Sequence, residues 1–246
     1  MIRIHCLVVL ISIILTGCSP PLNTMDIKKE TPKEVRRPAV AGQFYPGTKP
    51  ELAAMVNLSL SKVNPKSSRK QIKAILVPHA GYIFSGDVAA HAYRLLEGKK
   101  IDTAVIMCNA HANYFSGVAI SNEDEWETPL GKVAVNKELA NKIVESGDKI
   151  KFDSLAHEDD HVLEAQLPFL QTVLKPGFKI VPVLFGQGDP VISEQVAKAL
   201  KDYLGDDDIV VVSTDLSHYP SYEDANRIDN ITLENIKTGN VKELAR

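Results

Sequence analysis

Short apolar runs, separated by stretches with helical periodicity, constrain the fold of this chain more than any other feature of its sequence. Four such apolar runs lie at 74–77, 103–107, 179–185 and 209–213. Strands that are apolar throughout are typical of parallel sheets, because helices cover both faces of such a sheet. The sequence therefore predicts an α/β fold with a mainly parallel sheet flanked by helices.

The segments between these runs complete the pattern. Apolar residues recur there at helical spacing, and two shorter strands flank an acidic, aromatic stretch at 122–128. The predicted helices are 51–63, 86–97, 137–146, 161–174 and 191–204, and the shorter strands are 117–120 and 133–135. With 246 residues, 44% of them hydrophobic, the chain can bury the core of one large domain.

The N-terminus resembles an export signal. A short basic start precedes the apolar stretch 6–15, which is too short to span a bilayer but suits a signal-peptide core. The sequence Leu-Thr-Gly-Cys at 15–18 resembles a bacterial lipobox. We therefore predict a signal peptide at 1–17, a lipid-carrying Cys18 in a polar tether at 18–35, and a folded domain at 36–246.

This interpretation predicts a lipid-anchored protein of the bacterial cell envelope. Ser19 does not resemble an inner-membrane retention signal, so the predicted location is the outer membrane, facing the periplasm. An ordinary secretory signal with an incidental cysteine is the alternative. The net charge of −3 gives no electrostatic basis for nucleic-acid binding. Only Cys108 would remain as a free thiol, which excludes a disulfide framework.

Histidines follow three of the four apolar strands. His79 follows 74–77, His111 follows 103–107, and Asp215 and His218 follow 209–213. Ligands of open α/β sheets bind beyond the carboxyl ends of the strands. Two imidazoles with a carboxylate or thiolate can bind a transition metal, or the same groups can form a metal-free acid–base set. A histidine that only hydrogen-bonds a loop is the simpler alternative for any one of them, and it is preferred for His91.

A further acidic and histidine-rich segment precedes the predicted helix 161–174. His161 and Glu164 are three residues apart, so a helix would place both on one face, directed into the cleft. Asp159 or Asp160 can cap that helix. His157 is predicted to stay on the loop surface.

Six ordered segments together resemble the Memo family, known in bacteria and archaea as component B of the AmmeMemoRadiSam system. They are RPAVAGQFYP (37–46), PHAGY (78–82), the His111 segment with YFSG (114–117), EWETPLG (125–131), HVLEAQLPF (161–169) and STDLSH (213–218). The resemblance extends from about residue 37 to the end of the chain.

The resemblance implies a fold similar to class III extradiol dioxygenases and a cleft in which residues matching His79 and His111 bind iron or copper. Residues matching Asp215 and His218 lie in the same pocket. We therefore expect His79, His111 and Asp215 as metal ligands, with Asp215 alternatively orienting an imidazole. Asp215, His218 and His161 are the expected catalytic residues. Iron is the first expectation for the metal, followed by copper.

The chain departs from the family pattern in two places. It has Cys-Asn-Ala-His-Ala at 108–112 where the family has Gly-Pro-Ser-His-His. The family also continues to a Cys-Gly-Arg motif whose cysteine completes the metal site, so we expect a C-terminally truncated domain with a third ligand from elsewhere. Cys108 could substitute, although the sequence favours a small buried thiol there.

Three functions remain open from the sequence. The first is a metal-dependent enzyme, related to extradiol dioxygenases and redox-active. The second is a non-catalytic envelope protein whose cleft binds a metal, a small molecule or a peptide. The third is a degenerate, truncated family member. Bound metal with turnover would indicate the enzyme. Ligand retention without turnover would indicate the binding protein, and poor solubility without metal would indicate the degenerate family member.

Overall fold

The computed structural model describes residues 32–64, 71–187 and 190–244. The predicted signal peptide, Cys18 and most of the predicted tether lie outside these ranges. Within them, no helix combines the length and the apolar character needed to cross a lipid bilayer. The chain divides into Met1–Pro32 and Lys33–Arg246, and all the described strands and helices belong to the second unit.

The described strands form one nine-stranded sheet. They are β1 (Val35–Arg36), β2 (Ala74–Val77), β3 (Thr103–Asn109), β4 (Val118–Ile120), β5 (Glu125–Thr128), β6 (Gly131–Val135), β7 (Ile150–Phe152), β8 (Lys179–Phe185) and β9 (Asp208–Ser213). The main path runs β1-β5-β6-β8-β3-β9-β2, and β4 pairs with both β7 and β8.

The centre of the sheet is parallel, which confirms the predicted fold class. Neighbouring strands from β6 through β8, β3 and β9 to β2 all run in the same direction. Among the strand pairs that the structure describes, only β5–β6 and β4–β8 are antiparallel. Strands β1, β5 and β7 were not predicted from the sequence. The carboxyl ends of the four apolar strands therefore meet at one edge of the sheet.

Helices follow most of the strands. They are α1 (Lys49–Ser61), α2 (Tyr82–Tyr93), α3 (Lys137–Val144), α4 (Leu155–Glu158), α5 (Leu167–Val173), α6 (Pro190–Tyr203), α7 (Tyr222–Thr238) and α8 (Val241–Leu244). Short 3-10 turns occupy Arg94–Leu96 and Glu164–Gln166.

Two hydrophobic cores lie on opposite faces of the sheet. Ala104 and Ile106 of β3 belong to the core that α1, α2 and α5 cover, whereas Val105 belongs to the core beneath α3 and α6. This alternation follows from the two-residue period of a strand. Helix α7 contributes no buried residue, and β2 is the last strand of the described sheet.

The predicted helix 161–174 is wrong at its N-terminal end. The α-helix begins only at Leu167, after a loop and a 3-10 turn. Pro168 explains the late start, because a proline has no N–H and its ring clashes with the carbonyl four residues earlier. Placed in the first turn, Pro168 is tolerated; inside a helix starting at 161 it would break the helix.

Candidate metal centre

Three strand ends bring the predicted cleft residues together. His79 follows β2, Asp215 follows β9 and His111 follows β3. Since β9 lies between β2 and β3, the two histidines follow strands that are not adjacent, and they lie on either side of Asp215. Parallel direction and register therefore place these side chains at one edge.

Three imidazoles converge in this cleft. The ring centroids of His79 and His111 are 5.0 Å apart, with the rings at 84° to one another. The His161 ring lies 5.8 Å from that of His79 and 5.7 Å from that of His111, and it packs against Phe44. His161 thus faces the cleft, although from a loop rather than from the predicted helix.

Ser213 fixes the orientation of the buried His79 ring. The Ser213 hydroxyl donates to the Val162 carbonyl at 2.6 Å, so its oxygen accepts from Nδ1 of His79 at 3.0 Å. Gln166 donates to the same oxygen at 2.8 Å, and Tyr93 donates to the Gln166 amide oxygen. Because Nδ1 carries the proton, the lone pair of Nε2 is left for a ligand.

The backbone holds His111 in a similar way. Its Nδ1 lies 3.0 Å from the Asn109 carbonyl, which can only accept, so Nε2 again has the free lone pair. The buried Asp160 carboxylate accepts from the backbone N–H groups of His111 and Ala112 and from that of Val162. Asp160 therefore ties the His111 loop to the segment that carries His161, instead of capping the predicted helix.

Asp215 joins His79 to His218. One carboxylate oxygen accepts from the backbone N–H of His79 at 2.8 Å. The other lies 3.8 Å from Nε2 of His79 and 3.7 Å from Nε2 of His218. The His218 side chain is 56% exposed, so it lies at the mouth of the cleft.

Cys108 is buried, as predicted, but it also faces the histidines. Its sulfur lies 3.8 Å from Nδ1 of His79. One donor atom from each of His79, Cys108 and His111 lies within 4.8 Å of the other two. The sequence signal for this position was the strand period, since Cys108 continues the face of Ala104 and Ile106.

Burial controls the charge of these groups. Loss of hydration lowers the pKa of His79 to about 4, opposed by the Asp215 carboxylate, so the imidazole is neutral at pH 7. Burial also lowers the pKa of His161 and raises the pKa of the Cys108 thiol to about 12. Neutral imidazole is the metal-binding form, and a bound metal would displace the thiol proton.

A cavity of about 310 Å³ opens beside these residues. Its walls include the apolar Met107, Phe185 and Val212 as well as the polar groups described above. This volume is at the lower end of the range for small-molecule sites, so the cleft can hold a small ligand next to the histidines.

Glu164 does not reach the cleft, which contradicts its predicted position. It is fully buried and pairs with Arg36, itself 4% exposed. It also accepts from the backbone N–H groups of Ala39 and Val40 and from the Tyr45 hydroxyl. Burial, followed by the Glu164 charge, raises the pKa of Tyr45 well above its usual value. Glu164 therefore anchors the segment after β1 to the domain.

The predicted surface position of His157 is also wrong. The side chain is fully buried, donates from Nε2 to the Ala119 carbonyl at 3.2 Å and lies edge-on to Trp126. Burial lowers the pKa of His157 to about 4; the nearby Glu123 and Asp160 oppose this shift and Arg36 reinforces it. By contrast, His91 is exposed on α2, as an ordinary helix residue would be.

Buried, neutral His157 should make stability depend on pH. Its folded pKa lies below the usual value of 6.5, so the unfolded chain binds more protons and stability falls as pH drops from about 6.5 to 4. For the metal-free protein we expect this residue to contribute about 2 kcal/mol of lost stability between pH 7 and pH 5. Denaturant unfolding at both pH values should show that His157→Gln loses less free energy of unfolding between pH 7 and pH 5 than the wild type. The variant His91→Gln should lose as much as the wild type. Equal pH dependence in all three proteins would contradict the assignment.

The donor set suits a transition metal. Imidazole and thiol are the ligand types that bind copper, zinc and iron, and the strand-end position is where α/β proteins bind ligands. Fold and site together define an α/β protein with a candidate metal cleft at the carboxyl ends of its parallel strands.

Comparison with known proteins identifies the family. The family model described as Memo-like protein matches residues 36–246. A MEMO1 family protein of Sulfurisphaera tokodaii is 35% identical over 216 residues, covering 82% of this chain and 76% of the relative. One from Aquifex aeolicus is 37% identical over 211 residues, covering 85% of this chain and 77% of the relative. The chain therefore belongs to the Memo family, which confirms the resemblance.

Proposed function

We propose that this protein is an envelope-anchored Memo-family metalloprotein that binds one redox-active iron or copper ion between His79 and His111. The observation that carries the proposal is the group of donor atoms from His79, Cys108 and His111 within 4.8 Å of one another. The hydrogen bonds on both Nδ1 atoms support it, because they leave both Nε2 lone pairs available. A bound ion of this kind would supply Lewis-acid and one-electron chemistry.

The surrounding residues would position ligands and move protons. Asp215 holds the His79 backbone and could accept a proton, or bind the metal as predicted from the sequence. His218, exposed at the mouth, could exchange that proton with solvent, since its Nε2 lies beside the Asp215 carboxylate. His161 lies beside both imidazoles, where it would contact a ligand bound in the cleft.

Metal titration tests the proposal. Full-length, metal-free protein should bind one ferrous ion or one cuprous ion per chain under anaerobic conditions. Oxygen uptake by the loaded protein with a panel of phenolic substrates would then favour an enzyme, and saturable ligand retention without uptake would favour the non-catalytic alternative. No saturable binding of either metal would reject the proposed function.

The proposed location rests on the sequence Leu-Thr-Gly-Cys at 15–18. Cells that express the chain with radiolabelled palmitate should yield a labelled, membrane-associated protein. The variant Cys18→Ser should lose the label, whereas Cys6→Ser should keep it, because Cys6 lies in the predicted signal peptide. Labelling that persists in Cys18→Ser would reject the lipid anchor.

A further inference from the structure

We propose that Cys108 is the third metal ligand and that its thiolate gives the centre a preference for copper over iron. This inference rests on the proposed function, since it assigns a ligand of the same site. It also decides against the carboxylate of Asp215 as the third ligand.

The strand geometry directs Cys108 into the site. Cys108 precedes the last residue of β3, on the face that also carries Ala104 and Ile106. His111 follows shortly afterwards on the same chain segment, so one strand end supplies both a sulfur and a nitrogen donor. The opposite imidazole, His79, comes from β2, on the far side of β9. The site is therefore formed by two separate segments, each fixed by the sheet.

The distances allow the three side chains to share an ion. Metal–nitrogen and metal–sulfur bonds of about 2.0–2.3 Å separate two donors on one ion by at most roughly 4.4 Å. One donor atom from each of the three side chains lies within 4.8 Å of the other two. Small rotations of these side chains therefore suffice. Asp215 also approaches His79, but the group that includes His111 contains Cys108 and not Asp215.

The sulfur is buried, but it lies in the wall of the cavity. Cys108 is 8% exposed and lines the same cavity as His79, His111 and Asp215. Cys108 would bind a metal ion as the thiolate, and its proton would leave to solvent. Thiolate with imidazole suits copper, especially cuprous copper, whereas mononuclear ferrous sites typically combine two histidines with a carboxylate.

Cobalt(II) is a suitable probe because thiolate ligation gives a sulfur-to-cobalt charge-transfer band in the near ultraviolet. The full-length chain with Cys6→Ser and Cys18→Ser should show this band at one equivalent of cobalt. Adding Cys108→Ser should abolish the band at saturating cobalt and weaken binding by more than about 100-fold, beyond the effect typical of outer-sphere partners. The matched variant Asp215→Asn should keep the band.

Competition between cuprous and ferrous ions gives a second readout. The Cys108→Ser variant should lose most of the preference for copper over iron. If the serine variant does not fold, the same measurement is made on Cys108→Ala. One bound ion without the charge-transfer band, or a band unchanged by Cys108→Ser, overturns the ligand assignment and leaves the proposed function standing. Absence of any saturable metal binding overturns both.

Discussion

Replacing Glu164 by alanine should lower the free energy of unfolding by about 3–5 kcal/mol, because Arg36 would remain buried without its counter-charge. The two side chains are 3% and 0% exposed. The change would also leave the backbone N–H groups of Ala39 and Val40 without their acceptor. Equilibrium denaturant unfolding of wild type and Glu164→Ala measures the difference.

The neighbouring ion pair provides a matched control. Arg37 pairs with Glu127, but the Arg37 side chain is 72% exposed. Exposed pairs contribute about 0–1 kcal/mol, so Glu127→Ala should change the free energy of unfolding by less than about 1 kcal/mol. Similar losses in Glu127→Ala and Glu164→Ala would show that burial of the Arg36–Glu164 pair does not carry the effect.

Replacing either His79 or His111 by alanine should weaken metal binding by more than about 100-fold, because each change removes a direct ligand rather than an outer-sphere partner. The affinity can be measured by competition with a chromophoric chelator under anaerobic conditions, using copper and iron in turn. Both variants should keep their helical circular dichroism, since neither imidazole is part of a helix.

His91 is the control for non-specific binding by histidine. It lies exposed on α2, away from the strand ends. The variant His91→Ala should therefore bind metal with wild-type affinity. Unchanged affinity in His79→Ala and His111→Ala, or an equal loss in His91→Ala, would contradict the placement of the metal.

The parallel sheet could be predicted because its strands carry a strong local signal. The run at 179–185 is bounded as predicted, since a strand buried on both faces is apolar over nearly all its length. The run at 74–77 is also bounded as predicted, although Ala74 and Leu76 are exposed on this last strand of the described sheet. Strand β5 was missed because it is not such a run. In Glu-Trp-Glu-Thr, only Trp126 and Thr128 are buried, so its signal is an alternation that four residues show weakly.

The helix after the cleft loop was misplaced although the sequence contained the reason. Pro168 requires a helix start close to it, and this excludes Glu164 from the same helical face as His161. Glu164 was predicted to face the cleft and His157 to lie on the surface, yet both side chains are buried. Their burial depends on partners far away in sequence, Arg36 for the first and Ala119 for the second.

The site was predictable in outline because strand ends of a parallel sheet meet at one edge. Position after a strand was enough to bring His79, His111 and Asp215 together. The order of these three side chains along the edge of the sheet was not predictable, since it depends on β9 lying between β2 and β3. The contact of Cys108 with His79 likewise depends on the register of β3 against β9 and of β9 against β2.

The proposed metal ion binds at the carboxyl edge of the sheet, held by His79 and His111. Anomalous diffraction at the copper absorption edge, from crystals of the copper-loaded full-length chain, tests this placement most directly. We expect one strong anomalous peak in the cleft, within bonding distance of a nitrogen of each histidine. A peak elsewhere on the protein, or a cleft peak bonded to neither imidazole, would contradict it.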